Sequence, residues 1–191
     1  MKNLRRVLSR TVRLALLPGA ALLGLATLTP GSASAALKVG DSAPDFTTQA
    51  ALGGKTFTFS LAEALKKGPV VLYFYPKAFT PGCTVEAHNF AEATDQFAAL
   101  GATLVGMSGD DIDTLKEFSV KECRNKFAVA ADADGKIMKK YDANLGFLPS
   151  TADRISYVIG PDGKVVYTYA SLSPDNHVEN TLKVVQGLKK H

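Results

Sequence analysis

The chain has 191 residues, a length that allows one domain and little more. Hydrophobic residues make up 46% of it and charged residues 21%, an ordinary globular composition that argues against disorder. Two cysteines are too few for a disulfide scaffold or a four-cysteine zinc site. The three histidines lack the spacing of zinc-finger or HExxH ligands.

The formal net charge of +4 is concentrated at the amino terminus. Five basic residues precede the first acidic residue, Asp41: Lys2, Arg5, Arg6, Arg10 and Arg13. An apolar stretch rich in Ala and Leu follows from Leu14 to Leu28, and Ala33-Ser34-Ala35 then supplies the small residues of a signal-peptidase site. Because this stretch is shorter than the ~20 residues of a spanning helix, we predict a removable signal peptide at residues 1–35 rather than a permanent anchor.

Cleavage after Ala35 leaves one domain, residues 36–191, with 17 basic and 18 acidic residues and a net charge of −1. A near-neutral domain of this kind has no electrostatic footprint for nucleic acid, and the mature form is expected not to bind a membrane. The export signal predicts an oxidising compartment, the bacterial periplasm. Arg5-Arg6 leaves both the general secretory and the twin-arginine route open.

Predicted strands and helices alternate through residues 36–191. Two runs, 46–48 and 55–59, flank Gly53-Gly54 and predict a small amino-terminal β-hairpin. Further strands are predicted at 69–75, 102–107, 127–131, 155–159 and 164–169, and helices at 82–100, 111–123, 134–141 and from Pro174 onward with Ser173 as the N-cap. Pro161-Asp162-Gly163 joins the last two strands in a hairpin. This order predicts an α/β fold with one central mixed sheet.

Cys83 lies where the first buried strand has ended and a helix begins. Unpaired backbone N–H groups and the positive end of the helix dipole favour an anion there, and a thiolate is such an anion. We therefore expect a nucleophilic cysteine, with a small buried apolar residue as the alternative. Thr80 stands where a disulfide reductase has the first cysteine of Cys-x-x-Cys, so Cys83 acts with one local sulfur.

The segment Pro76-x-x-x-Thr80-x-x-Cys83 resembles the active-site pattern of the peroxiredoxins, and 73–84 resembles the peroxiredoxin Q (bacterioferritin comigratory protein) subfamily. Other matching segments are 39–46, Asp132 with Asp134, and 154–159, so that the resemblance covers nearly all of the mature chain. It implies a thioredoxin-like fold. It also implies a thiol peroxidase that reduces hydrogen peroxide or organic hydroperoxides and needs no metal or organic cofactor.

The resemblance implies a role for each matched residue. Cys83 is the peroxidatic nucleophile, whose thiolate attacks the distal peroxide oxygen and becomes a sulfenic acid. Arg154 places a fixed positive charge beside thiolate and peroxide, Thr80 hydrogen-bonds both, and Pro76 shields the pocket from water. Glu86 lies one turn beyond Cys83 on an otherwise apolar stripe. We expect it to orient Arg154 through a charge-assisted pair, because an unpaired buried carboxylate is costly.

The chain departs from the subfamily at the resolving cysteine. Many members carry one five residues after the first, but position 88 is His, which a helix turns about 140° away from Cys83. We expect His88 to be a surface residue. Cys123, 40 residues beyond Cys83 and near the end of the next predicted helix, is the remaining candidate. The predicted cycle is a sulfenic acid at Cys83, a disulfide to Cys123 after local unwinding, and reduction by a thioredoxin-like donor.

Two alternatives stay open from the sequence. In one, Cys123 is a spectator and an external thiol resolves Cys83. In the other, the domain is a non-enzymatic binding module with a structural Cys83–Cys123 disulfide, and the match at Thr80, Glu86 and Arg154 is a coincidence. Copper delivery is disfavoured because soft Cys and Met ligands do not cluster near Cys83. We expect the mature protein to be a monomer or a weak dimer.

Overall fold

A computed structural model describes residues 36–146, 148 and 150–189 of the chain. The predicted signal peptide and its cleavage site lie outside these residues and stay predictions. Within the described ranges, no helix is both long and apolar enough to cross a membrane.

A mixed β-sheet forms the centre of the part of the chain that the structure describes. Its seven strands are β1 (Thr47–Leu52), β2 (Lys55–Ser60), β3 (Val70–Phe74), β4 (Thr103–Ser108), β5 (Ala128–Ala131), β6 (Ile155–Ile159) and β7 (Val165–Ala170). The spatial order is β2-β1-β5-β4-β3-β6-β7, with β3, β4 and β5 parallel and the flanking strands β1 and β6 antiparallel to them. The predicted central mixed sheet is confirmed, as is the amino-terminal hairpin, in which β1 pairs with β2.

Strand β3 sets the position of the candidate site. It is buried along its whole length between β4 and β6, and its side chains alternate between two hydrophobic cores, as the two-residue period of a strand requires. The pairing with β4 continues one residue past β3, where Tyr75 N donates to Met107 O at 3.0 Å. The chain then turns through residues 76–80 into a helix, so Cys83 lies at the carboxyl end of a central strand.

Helices pack against both faces of the sheet. Those among the described residues are α1 (Leu61–Leu65), α2 (Pro81–Ala99), α3 (Ile112–Lys121), α4 (Lys136–Lys140) and α5 (His177–Leu188). Helices α1 and α4 bury residues in one core, together with Val70, Leu72 and Phe74. Helices α2, α3 and α5 bury residues in the other, which also holds both cysteines.

Two helix starts differ from the prediction. Helix α5 begins at His177 with Asn176 as its N-cap at φ +67°, and the predicted cap at Ser173 is wrong. The Ser173 hydroxyl instead donates to the Asp175 carboxylate at 2.8 Å, a local turn that competes with helix formation. Helix α1 was not predicted, although Ser60 accepts a hydrogen bond from Glu63 N at 3.3 Å, as in one half of a capping box.

Candidate active site

Cys83 is the third residue of α2 and is 1% exposed. Thr80 is the N-cap, in an extended conformation, and Pro81 fills the first helical position, where a missing N–H costs nothing. Thr84 N donates to Thr80 O at 2.9 Å and closes the first turn. Earlier amides of this turn have no carbonyl one turn before them, so the sulfur lies at the electropositive end of a 19-residue helix.

Arg154, the residue immediately before β6, contacts the sulfur of Cys83. Its Nη2 donates to Cys83 Sγ at 3.3 Å, its Nη1 donates to Glu86 Oε2, and its Nε donates to Leu172 O at 2.9 Å. The guanidinium is therefore fixed by three acceptors, two in α2 and one, Leu172 O, after β7. Arg154 is 4% exposed and Glu86 fully buried, so this charge acts on the sulfur with little screening by water.

Gly82 is what lets the guanidinium come so close to α2. A Cβ added at this position would lie 3.2 Å from Arg154 Nη2, tighter than an ordinary contact. Arg154 has little freedom to yield, because its other nitrogens are held by Glu86 and Leu172. The close approach of Arg154 thus explains why position 82 is a glycine.

Burial opposes a charge on Glu86 and raises its pKa to about 8, even though Arg154 favours the ionised form. For Arg154, burial works to lower the pKa, but the neighbouring Glu86 and Cys83 outweigh it and the pKa is raised. Arg154 therefore stays positive, while the carboxyl group beside it titrates near neutral pH. The balance of charge around the sulfur depends on whether Glu86 holds a proton.

The loop before α2 is held by groups that the sequence analysis did not single out. Ala78 N donates to Asp110 Oδ2 at 2.7 Å, and the same oxygen accepts from Ser108 Oγ at 2.8 Å. Phe79 adopts φ +63° and places its ring 5.2 Å from that of Phe118, edge to face. The loop is thereby attached to the region of β4 and α3.

Pro76 and Thr80 lie in this loop, both half-buried. The Thr80 hydroxyl donates to Lys77 O at 2.9 Å and makes no side-chain capping bond to α2. Its predicted hydrogen bonds to thiolate and peroxide stay a prediction, as does the shielding role of Pro76.

Cys123 lies two residues beyond the end of α3 rather than within it, and is fully buried. Burial raises the pKa of its thiol well above the usual range, and Glu122 adds to the shift. Both cysteines lie in the described ranges and are free. They belong to the same hydrophobic core, and the disulfide between them, with the local unwinding before it, stays a prediction.

Three ion pairs join the segment around Cys123 to α2. They are His88–Glu122 at 2.7 Å, Glu92–Arg124 at 3.1 Å and Asp95–Lys126 at 3.1 Å. His88 lies half-buried at the surface of α2, with Nε2 2.7 Å from Glu122 Oε2. The residues of α2 stand four and three positions apart, so all three pairs form along one face of the helix.

His177 is a further residue that the sequence analysis missed. It is fully buried, with Nδ1 2.8 Å from Ser156 Oγ and 3.6 Å from Glu86 Oε1. The sequence contained a signal for its burial, because His177, Thr181 and Val185 recur at four-residue spacing and form the buried stripe of α5. The apolar Val178 and Leu182 of the same helix are half-buried.

Among the described residues, no group of three or more His, Cys, Asp or Glu side chains could hold a metal ion. The Arg154 guanidinium contacts Cys83 Sγ, the Glu86 carboxyl group pairs with that guanidinium, and the Thr80 hydroxyl lies at the start of the same helix. This set can stabilise a thiolate and donate hydrogen bonds to an oxygen-containing substrate.

Comparisons with known proteins agree with this geometry. The AhpC/TSA family matches residues 39–168. The chain is 35% identical over 150 residues to the chloroplastic peroxiredoxin Q of Oryza sativa subsp. japonica, covering 78% of this chain and 67% of that protein. It is 32% identical over 160 residues to peroxiredoxin Bcp of Escherichia coli K12, covering 81% of this chain and 97% of that protein.

The fold has solved counterparts. The crystal structure of peroxidoxin BcpB from Mycobacterium tuberculosis superposes with a TM-score of 0.72 at 32% identity, covering 80% of this chain and 98% of that one. A fold with a helix-start cysteine held by a buried arginine is that of a thiol-dependent peroxidase. The chain belongs to the AhpC/TSA family, among the peroxiredoxins, and takes a peroxide substrate and a thiol reductant.

Proposed function

We propose that Cys83 is the peroxidatic cysteine and that Arg154, Thr80, Pro76 and Glu86 support its chemistry. The observation that carries the proposal is the 3.3 Å hydrogen bond from Arg154 to a sulfur in the first turn of α2. The thiolate attacks the terminal oxygen of the peroxide, so an S–O bond forms as the O–O bond breaks. The leaving oxygen takes a proton and departs as water or an alcohol, and Cys83 becomes a sulfenic acid.

Arg154 acts on both ends of this displacement. Its fixed positive charge stabilises the attacking thiolate and then the negative charge that develops on the leaving oxygen. Glu86 fixes the guanidinium from the side away from the sulfur. With Leu172 O as the third acceptor, Arg154 is oriented before the peroxide arrives, so little reorganisation accompanies the reaction.

Thr80 and Pro76 act on the peroxide itself. The Thr80 hydroxyl exchanges the Lys77 carbonyl for the peroxide by rotation about its Cα–Cβ bond, which places a donor beside the reacting oxygens. Pro76 has no N–H of its own to bind water. The half-buried ring limits the water that competes with the peroxide for the sulfur.

Resolution by Cys123 follows in the proposed cycle. The Cys123 thiol attacks the sulfenic sulfur, an S–S bond forms, and the sulfenic oxygen leaves as water. Cys123 supports this role by being free and sharing a core with Cys83. The alternative is a one-cysteine cycle with an external thiol, which the complete burial of Cys123 favours. In both cycles a thiol reductant returns Cys83 to the thiol, and we expect a thioredoxin-like donor in the first.

We also propose that the mature protein acts after export, in the periplasm, as a monomer or weak dimer. The basic residues, apolar stretch and small-residue site within 1–35 support export. Fractionation of the native host with an antibody to the mature domain tests the location, and light scattering of the reduced protein tests the assembly.

A peroxidase assay with thioredoxin and thioredoxin reductase tests the cycle. Wild type, Cys83→Ser and Cys123→Ser are compared, with disulfide mapping by mass spectrometry after one equivalent of peroxide. We expect no activity in Cys83→Ser, and a stable sulfenic acid in Cys123→Ser where the wild type has a Cys83–Cys123 bond. Activity in Cys83→Ser overturns the main proposal, and the absence of that disulfide in the wild type selects the one-cysteine cycle.

A further inference from the structure

His177 lies directly behind the pair formed by Glu86 and Arg154, fully buried at the start of α5. The titratable and charged groups around it are Glu86 of α2, Arg154 next to β6, and Tyr169 of β7, whose ring centroid is 4.7 Å away. Cys83 lies beyond Arg154. His177 does not touch the sulfur, so any effect on it passes through these neighbours.

The hydrogen bonds of the imidazole fix where its hydrogen resides. Nε2 lies 3.0 Å from Ser171 O, a carbonyl that can only accept, so Nε2 carries the hydrogen. In the neutral ring Nδ1 is then an acceptor, and Ser156 Oγ donates to it at 2.8 Å. This hydrogen bond uses the single lone pair of Nδ1, and Glu86 Oε1 lies 3.6 Å from the same nitrogen.

Glu86 places a carboxyl oxygen near that nitrogen. Its Oε1 lies 3.6 Å from His177 Nδ1 and, among the described residues, is buried without a hydrogen-bond partner. A carboxylate oxygen without a partner in a dry core is unfavourable unless the pair holds a proton. That proton sits either on Oε1, with Ser156 Oγ donating to Nδ1, or on Nδ1, with Ser156 Oγ and Glu86 Oε1 as the nearby acceptors.

Either placement makes the His177–Glu86 pair neutral, whereas loss of the proton leaves it with one negative charge beside Arg154. Burial raises the pKa of Glu86 and lowers that of His177, the latter with a further contribution from Arg154. Both directions agree with a proton that resides mainly on the carboxyl and is shared with the ring.

We propose that His177 is a positioning residue that holds one buried proton jointly with Glu86, so that the positive charge of Arg154 is left to the Cys83 thiolate. The proposal rests on the function proposed above for these residues. A neutral imidazole offers a second position for the same proton, so its presence extends the pH range over which the pair stays neutral. Without it, Glu86 ionises at lower pH and its negative charge offsets that of Arg154, so Arg154 stabilises the Cys83 thiolate less.

His177→Gln tests this, because glutamine keeps a donor and an acceptor but cannot titrate. The readout is the rate of Cys83 alkylation by iodoacetamide from pH 5 to 9, in a Cys123→Ser background. We expect the midpoint of the rate profile to move toward higher pH by about one unit, and alkylation below the midpoint to slow by up to about tenfold. His88→Gln is the matched control, a histidine that also pairs with a glutamate, and it leaves the profile unchanged.

The Glu86→Gln background separates positioning from mere packing. Glutamine at 86 is neutral at every pH, so adding His177→Gln to it produces no further shift of the profile. A wild-type profile in His177→Gln overturns the proposal, and so does a shift that persists undiminished without Glu86. Alkylation needs no peroxide or reductant, so the two proposals can fail separately. If the alkylation profiles shift as expected but the peroxidase assay shows no activity, the proposed function is refuted and the positioning role stands.

A measurement on the wild type decides the matter if His177→Gln does not fold. Spectra of protein with ¹⁵N-labelled histidine report the tautomer of His177 and the state of Nδ1 as a function of pH. We expect the Nε2–H tautomer, with an Nδ1 signal that changes between pH 5 and 9, the range of the alkylation profile. An Nδ1–H tautomer, or an Nδ1 signal that is constant through that range, overturns the proposal.

Discussion

Arg154 donates a hydrogen bond to the sulfur of Cys83 from 71 positions further along the chain. The pairing of β3 with β6 accounts for this distance in sequence, because Phe74 at the end of β3 lies opposite Ile155 at the start of β6. Arg154 precedes Ile155, and the loop from Phe74 leads to Cys83. A slip of one residue in this antiparallel pair would turn the guanidinium to the other face of the sheet.

Replacing Arg154 with Lys separates charge from geometry. A lysine keeps the charge but has a single nitrogen, which cannot contact Cys83, Glu86 and Leu172 together. We expect kcat/KM for peroxide to fall by about 10²-fold, comparable to the loss of one donor in an oxyanion hole. Steady-state kinetics with thioredoxin measures this.

Arg124→Lys is the control for Arg154→Lys. Arg124 is an exposed arginine that also pairs with a glutamate, and its replacement leaves the rate within twofold of wild type. If Arg154→Lys retains the wild-type rate, the fork geometry of the guanidinium plays no part in the reaction.

Gly82→Ala should reduce activity without reducing stability. The new Cβ presses on Arg154 Nη2 at 3.2 Å and moves the guanidinium by a few tenths of an ångström, while alanine is the better helix former by about 1 kcal/mol. We expect kcat/KM to drop several-fold and the free energy of unfolding to change by less than about 1 kcal/mol. Urea melts and peroxide kinetics on the same preparation measure both.

Gly187→Ala is the matched control, because a Cβ at Gly187 of α5 meets nothing within 4 Å. It should leave the rate unchanged and stabilise the helix. Equal rates for Gly82→Ala and wild type would show that Arg154 yields freely to the added methyl group.

The stability of the protein should depend on Glu86 between pH 6.5 and 8. Its pKa is raised to about 8 in the folded state from an ordinary value of 4.5, so the folded chain holds a proton that the unfolded chain has already released. Stability from this group is full below pH 4.5 and is lost as pH rises through about 8, with a limiting slope of about 1.4 kcal/mol per pH unit.

His177 acts in the opposite direction, because its pKa is lowered from 6.5 and stability is lost when the unfolded chain takes up a proton at lower pH. The contribution of Glu86 to the free energy of unfolding should therefore be measured above pH 6.5. Urea melts of Glu86→Gln should show a flatter dependence on pH there than the wild type, whereas Glu92→Gln, at an exposed position of the same helix, should follow the wild type. Parallel curves for Glu86→Gln and wild type would contradict the raised pKa.

Resolution by Cys123 should become faster when the ion pairs that hold its segment are removed. Glu92→Gln with Asp95→Asn breaks the contacts to Arg124 and Lys126. Exposed pairs contribute about 0–1 kcal/mol each, so opening and hence disulfide formation should accelerate by roughly three- to tenfold. Rapid-quench alkylation after a peroxide pulse measures the rate.

Glu117→Gln is the control for the ion-pair variant, since it removes an exposed pair with Lys121 that lies wholly within α3. It should leave the rate of disulfide formation unchanged. A double variant no faster than wild type would mean that these pairs do not limit the approach of the two thiols.

The local pattern of the sequence predicts the strands, the long helices and the place of Cys83 at a helix start. Each of these depends on periodicity or on a turn signal within a few residues. A carboxylate on an apolar stripe also requires a partner, and the resemblance to the peroxiredoxins identifies that partner of Glu86 as Arg154. The register of β3 against β6, which brings that partner to the sulfur, is visible in the structure alone.

His177 shows why the rest of the site escapes prediction. Its partners Glu86 and Ser156 lie 91 and 21 positions away, and no spacing rule connects them. The apolar pattern of α5 also points elsewhere, because Val178 and Leu182 are half-buried and lie about 100° around the helix from the buried His177 and Thr181.

The ion pairs of His88, Glu92 and Asp95 divide helix α2 into two mechanical parts. From His88 onward, the helix is joined to the segment around Cys123 by these side-chain contacts. The first turn, which begins at Pro81 and contains Cys83, lies on the amino-terminal side of all three. In the proposed cycle, unwinding that starts at Pro81 would therefore end at His88, about one and a half turns past the sulfur. Position 88 would then limit how much of α2 is released for disulfide formation, while the rest of the helix stays packed on the sheet.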